Sequence, residues 1–188
     1  MRIVAGEFRG RTIEAKSGTT TRPTTDRVRE ALMSALYSAR GGFEGAVVLD
    51  AFAGSGALGL EALSRGAARV VFFENDAKAA QTLDKNIASF KLDASRARVC
   101  KHDVLKTVQM DRFGPFDIVF LDPPYAYSAD EVLAFAAQLR ESGALSKGFT
   151  IVYEHALSDA DQVSEVAQSF GFSMKARKYG KTGVAMLN

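Results

Sequence analysis

Hydrophobic and polar positions change their period near residue 46. Before it, residues 2–15 alternate loosely around Gly6 and Gly10, as in Arg2-Ile3-Val4-Ala5 and Arg11-Thr12-Ile13-Glu14, which predicts a small β-hairpin. Residues 17–25 are polar, have no helical period and predict a loop. A helix is predicted from about Asp26, capped by Thr24 or Thr25, with Val28, Leu32, Ala35, Leu36 and Ala39 forming its buried stripe. Beyond residue 46, short apolar runs at 46–49, 69–73, 97–100, 116–121 and 149–153 predict strands. Between and after them, residues 58–65, 77–90, 104–109, 130–141 and 159–170 read as helices. Strand and helix in alternation imply an α/β fold, a parallel sheet with helices on both faces. Two final strand-like segments, 172–177 and 183–187, flank Gly180 and predict an antiparallel hairpin.

Composition narrows the class without naming a function. In 188 residues, 47% hydrophobic and 24% charged content describes a globular chain able to bury a core. No apolar run approaches the ~20 residues a membrane helix needs, and the amino terminus lacks the apolar core of a signal peptide. Cys100 is the single cysteine, so no internal disulfide can form and a reducing compartment, the cytoplasm, is expected. No Cys/His cluster suggests a metal. The net charge of +2 is unevenly spread: residues 1–40 carry +4, residues 41–165 carry −6 and residues 166–188 carry +4. Basic ends around an acidic middle suit either a polyanion-binding rim or two solvated termini. Phe8, Arg9 and Arg11 form a cation and aromatic mixture suited to stacking on bases, or Phe8 simply pins the segment to the body. Arg27 and Arg29 oppose the dipole of the first predicted helix, which a nearby anion would explain.

Two motifs carry chemistry. The first, Asp122-Pro123-Pro124-Tyr125, ends the apolar run 116–121. Neither proline can donate a backbone hydrogen bond, so the ladder stops there. A carboxylate, a carbonyl and an aromatic face are then held at the carboxyl edge of a sheet, where open α/β folds place ligands. The second motif is Asp50-Ala51-Phe52-Ala53-Gly54-Ser55-Gly56-Ala57-Leu58-Gly59, a G-x-G-x-x-G turn between a predicted strand and a predicted helix. Glu74 ends the next strand, where a carboxylate can accept both ribose hydroxyls of a nucleoside cofactor. These features suit NAD or S-adenosylmethionine alike. Asp50 favours the latter, because a carboxylate repels a pyrophosphate but suits an ammonium and a sulfonium. The Asp-Pro-Pro-Tyr group, expected on a neighbouring parallel strand, likewise suits an amine better than a hydride. Asp103 could accept the adenine amino group and Val104 offer its N–H, while His102 reads as a surface histidine.

Together these motifs resemble those of class I S-adenosylmethionine-dependent amino-methyltransferases. The stretch Arg22-Pro23-Thr24-Thr25-Asp26-Arg27-Val28-Arg29-Glu30, the run from Phe52 to Arg65 and Tyr179-Gly180-Lys181-Thr182 are similar to the bacterial 16S ribosomal RNA (guanine-N2) methyltransferase family called RsmD. The resemblance implies a Rossmann-like seven-stranded sheet, mostly parallel with an antiparallel last strand. It implies a methyltransferase domain over residues 41–188, preceded by a basic extension over 1–40. It implies S-adenosylmethionine as cofactor, bound by Asp50, Phe52, Gly54, Ser55, Gly56, Glu74, Asn75, Asp103, Val104 and Thr25. Asp122, Pro123, Pro124 and Tyr125 are the implied catalytic group. Arg9, Arg11, Arg22, Arg27, Arg29, Lys178 and Lys181 are candidates for phosphate contact. The expected partner is 16S rRNA or a small-subunit particle met by a monomer, with no membrane and no metal. The same chemistry on DNA, at adenine N6 or cytosine N4, is the nearest alternative, and an NAD(P)-dependent oxidoreductase a more distant one.

Overall fold

The computed structural model describes residues 1–15, 26–124 and 126–188. The elements run α1 (Asp26–Arg40), β1 (Val47–Asp50), α2 (Ala57–Ser64), β2 (Arg69–Phe73), α3 (Ala77–Ser89) and β3 (Ala97–Cys100). They continue with β4 (Phe116–Leu121), α4 (Ala129–Glu141), β5 (Leu145–Ala156), α5 (Ala160–Ser169), β6 (Met174–Tyr179) and β7 (Thr182–Leu187). Short 3-10 turns lie at Val104–Lys106, Met110–Arg112 and Leu157–Asp159. The seven strands are ordered β3-β2-β1-β4-β5-β7-β6. β2 is parallel to β1 and β3, and β5 to β4, whereas β7 is antiparallel to both β5 and β6. The expected seven-stranded, mostly parallel sheet with an inverted last strand is what forms. The chain divides into two compact units, Met1–Val104 and Leu105–Asn188.

In the first unit the strands are covered on both faces. Val70, Val71, Phe72 and Phe73 are all essentially buried, so β2 reads as a continuous apolar run with no alternation. Gly59 lets α2 approach it: a Cβ there would stand 2.3 Å from the Phe72 ring. α2 is buried on every side, including Glu61 and Ser64, because the amino-terminal segment lies across it. The Val4 and Ala5 N–H groups donate to the Glu61 carboxylate at 2.9 and 3.1 Å. Phe8 N–H donates to the Ser64 hydroxyl oxygen at 2.9 Å, and that hydroxyl donates to the Ala5 carbonyl at 2.5 Å. At Gly6, with φ +86°, a Cβ would lie 1.7 Å from the Ser64 carbonyl oxygen. Only glycine allows that approach.

This region departs from two sequence expectations and decides a third point that the sequence leaves open. It doubles back as predicted, but through one isolated bridge, Arg2 with Thr12, instead of two full strands. Phe8 is buried and meets Phe90 edge-on at a centroid distance of 5.2 Å, so it pins the segment and is not a platform for bases. Arg29 is 0% exposed. Its guanidinium donates to the Arg2 carbonyl, and its Nε lies 3.6 Å from Glu61 Oε2. Arg29 is therefore corrected from a phosphate contact to a buried cation whose partner is Glu61. A charged group of that kind persists inside a protein only when paired.

In the second unit β4 and β5 run parallel and in step from Ile118 with Thr150 to Leu121 with Tyr153. β5 extends beyond the predicted 149–153 at both ends. Its first residues are partly or fully exposed, so no apolar run marks them, and its last residues are held by pairing to β7. α4 opens on a capping box, in which Ser128 and Glu131 exchange side-chain and backbone hydrogen bonds. Gly180, φ +64°, turns β6 into β7. Gly183 gives room to the buried His155 ring, which a Cβ would meet at 2.2 Å.

Candidate active site

The glycine turn in the first unit is shaped by its own backbone and by two carboxylates. Asp50, the last residue of β1, is 2% exposed and accepts the Gly59 N–H at 2.9 Å. Burial pushes its carboxyl up to about 7, the Gly59 bond pulls it down, and the nearby Glu74 charge raises it. Gly54 and Gly56 take left-handed φ values of +56° and +84°, which L side chains adopt at a cost. Gly56 is the N-cap of α2, and a Cβ there would strike Leu83 at 2.4 Å. A Cβ on Gly54 would meet nothing within 4 Å, so the space beside that backbone is open. Glu74, half-buried at the end of β2, accepts the Gly54 N–H through Oε2 and the Asp76 N–H through Oε1, both at 2.7 Å. Each oxygen keeps a lone-pair direction for a further donor.

These residues fit a nucleoside cofactor that carries positive charge. The open side of the Gly54 backbone admits close approach, Glu74 offers acceptors suited to ribose hydroxyls, and Asp50 is a buried carboxyl that a cation would ionise. Phe52 and Ser55 are half-buried in the same turn, and Asn75 is exposed beside Glu74. Asp103 is half-buried at the end of this unit, and Val104 is buried at the start of a 3-10 turn. His102 is exposed, with its ring edge-on to Phe73 at 5.1 Å.

The second unit holds the tetrapeptide. Asp122 and Pro123 are half-buried immediately after β4, and Pro124 is exposed, with its carbonyl accepting the Tyr127 N–H at 3.1 Å. Tyr125 lies outside the described residues, as do Arg22, Thr24, Thr25 and the Arg27 side chain. Arg9, Arg11, Lys178 and Lys181 are exposed. Arg11 stacks its guanidinium 4.4 Å from the Phe90 ring centre and donates to the Ser89 carbonyl, so part of its donor capacity is spent within the chain.

Sequence reasoning missed Glu61 and Asn86. Glu61 had a signal, an acid inside the apolar helix Ala57–Ser64. Asn86 had none, because a lone asparagine on an amphipathic helix reads as surface. It is 1% exposed. Its amide donates to the Ser55 carbonyl at 2.9 Å and the Glu14 carbonyl at 3.0 Å, and its oxygen accepts the Glu14 N–H at 2.9 Å. One side chain thus fastens the glycine turn and the amino-terminal segment together.

Strand order, inverted last strand, glycine turn after β1 and acid after β2 define a Rossmann-like methyltransferase fold. Over residues 1–188 the chain matches the family model described as Conserved hypothetical protein 95, and it belongs to that family. It is 37% identical over 190 residues to the "Putative rRNA methyltransferase YlbH" of Bacillus subtilis (strain 168), covering 99% of this chain and 97% of that one. It is 40% identical over 132 residues to "Ribosomal RNA small subunit methyltransferase D" of Haemophilus influenzae, covering 70% of this chain and 67% of that one. The solved structure titled "Putative methyltransferase yhhF from Escherichia coli" superposes with a TM-score of 0.77 at 32% identity, covering 100% of this chain and 96% of that one.

Proposed function

We propose that this protein transfers a methyl group from S-adenosylmethionine to the exocyclic N2 of a guanine in 16S ribosomal RNA. The observation that carries the proposal is Asp122-Pro123-Pro124 at the open end of β4, a half-buried carboxylate beside a carbonyl with no neighbouring proline N–H to compete. The names of the relatives at 37% and 40% identity support rRNA as the substrate.

A guanine N2 amine is a poor nucleophile because its lone pair is delocalised into the ring. The Asp122 carboxylate and the Pro123 carbonyl each accept one N2–H. That draws the nitrogen toward tetrahedral geometry and turns its lone pair out of the ring. Tyr125 stacks on the base and holds it in line. When bound, S-adenosylmethionine supplies an electrophilic methyl on its sulfonium. Transfer of that methyl to N2 would leave the sulfur neutral, and Asp122 or water would take the proton that N2 then loses. Positioning supplies much of the acceleration, for which effective molarities of ~10⁵ M or more are attainable. Asp122 adds electrostatic stabilisation of the cation developing on N2. Asp50, Glu74 and the Gly54–Gly56 backbone would hold the cofactor, and Asp103 and Val104 would offer an acceptor and an N–H to its adenine. The base must be unpaired or flipped out, since its amine is otherwise engaged.

Asp122→Ala should abolish transfer while leaving S-adenosylmethionine affinity within twofold, and Glu74→Ala should weaken the cofactor at least tenfold, about 1.4 kcal/mol. Tritiated-methyl incorporation into assembled small subunits, naked rRNA and duplex DNA reads the first, and calorimetry the second. Labelled DNA with silent rRNA would overturn the substrate.

A further inference from the structure

The carboxyl edge of the second unit holds a second carboxylate that the reaction above leaves unused. β4 and β5 are parallel and in register through Leu121 and Tyr153, so the next residues in step are Asp122 and Glu154. Asp122 leaves the strand at that point, one residue past the last paired position, and adjacent strands lie about 4.8 Å apart. Leu121 and Tyr153 are buried at 1% and 3%, whereas Asp122 and Glu154, one residue further along each chain, are both half-buried. Glu154 is fixed from its other side, because β5 continues through it into β7, pairing Glu154 with Val184 and His155 with Gly183.

Base chemistry gives this pair a division of labour. If Asp122 and the Pro123 carbonyl take the two hydrogens of the target amine, one polar group on the same edge of guanine remains, the N1–H donor. Adenine and cytosine carry an unprotonated ring nitrogen beside their exocyclic amine, and that nitrogen accepts. An ionised carboxylate can only accept. It therefore satisfies guanine and opposes lone pair to lone pair with the other two. We propose that Glu154 accepts the guanine N1–H and so sets which base this site methylates. The inference rests on the guanine-N2 reading above and deepens it, since Glu154 accounts for guanine against the adenine N6 and cytosine N4 alternatives. Sites built to hydrogen-bond a polar group reject analogues lacking it far more strongly than apolar pockets reject a missing methylene, by up to ~10⁴-fold or more.

The test uses 16S rRNA or small subunits in which the guanosine methylated by the wild type is replaced by 2-aminopurine riboside. That base keeps the amine at C2 but has an accepting N1. The wild type should prefer guanine by ~10²-fold or more in kcat/KM. Glu154→Gln, whose amide can donate to N1, should shrink or invert that preference, with S-adenosylmethionine affinity and Tm unchanged. A folded Glu154→Gln enzyme that keeps the wild-type preference overturns the assignment. Should Glu154→Gln fail to fold, Glu154→Asp, which withdraws the carboxylate by one methylene, should lower kcat/KM on guanine and spare it on 2-aminopurine; equal losses on both overturn the assignment. A wild type that labels only adenine or cytosine overturns the guanine reading and this inference with it, whereas guanine labelling with an unmoved base preference overturns this inference alone.

Discussion

Burial at the end of β1 lifts the Asp50 carboxyl from 3.8 to about 7, and that shift has two readable consequences. The unfolded chain releases this proton near pH 4 while the folded chain keeps it to about 7. The contribution to stability is therefore complete below pH 4, falls as pH rises through about 7 and is level above it. The displacement amounts to about 4 kcal/mol at most. Asp50→Asn, an isostere that still accepts the Gly59 N–H, should flatten this dependence in denaturant unfolding between pH 4 and 8. A cationic cofactor favours the ionised form, so its binding below pH 7 should release a proton. Calorimetry at pH 6.5 in two buffers of different ionisation enthalpy reads that release directly. Equal apparent enthalpies in both would remove Asp50 from the cofactor's surroundings. The roles proposed for Asp122 and Glu154 concern the base instead, and are read by substrate identity, not by pH.

Helices and strands here act as mounts for polar clips, and the clips lie where two elements must hold still together. Glu61 on α2 takes the amides of Val4 and Ala5 and faces the buried Arg29 of α1, which makes the basic amino-terminal segment part of the first unit. Asn86 on α3 does the same for the Ser55 carbonyl and Glu14. Asn86 touches no proposed substrate or cofactor, yet Asn86→Asp keeps the acceptor for Glu14 N–H and loses both donors. This variant should raise KM for S-adenosylmethionine roughly tenfold, at a cost of about 1–3 kcal/mol for orphaned carbonyls, with kcat little changed. Steady-state kinetics with a parallel Tm measurement checks it; a fall in Tm without a change in KM would make Asn86 a purely structural clip.

Across the molecule, positive charge sits at the two ends of the chain and serves two different ends. In the amino-terminal segment one cation, Arg29, is consumed internally, while Arg9 remains exposed and Arg11 stacks on Phe90. In β6, the last strand in the sheet order, Lys175, Arg177 and Lys178 are exposed, Lys181 follows in the turn, and residues 166–188 contain no acid. Such an edge discourages strand pairing between molecules and also suits phosphate. The two roles separate by salt. Lys178→Ala with Lys181→Ala should make the plot of log K for RNA against log salt shallower by roughly 1–2, with cofactor affinity unchanged. An unaltered slope would leave these lysines as solubility devices.

Local pattern was enough for the alternation of strands and helices, the glycine turn with its acid one strand later, and the proline-stopped end of β4, because each depends on residues close together in the chain. Chain-local reasoning also reached the inverted final strand, through resemblance and a short Gly180 turn. It left Phe8 open between stacking on bases and pinning the segment, and it could not reach Arg29, which looks like a nucleic-acid contact until the chain folds and buries it against Glu61. Nor could it reach Asn86 or the register that sets β4 beside β5. A clip between residues 31 and 72 positions apart, or a strand register that pairs Leu121 with Tyr153, exists only once the sheet and its covering helices have brought distant segments together.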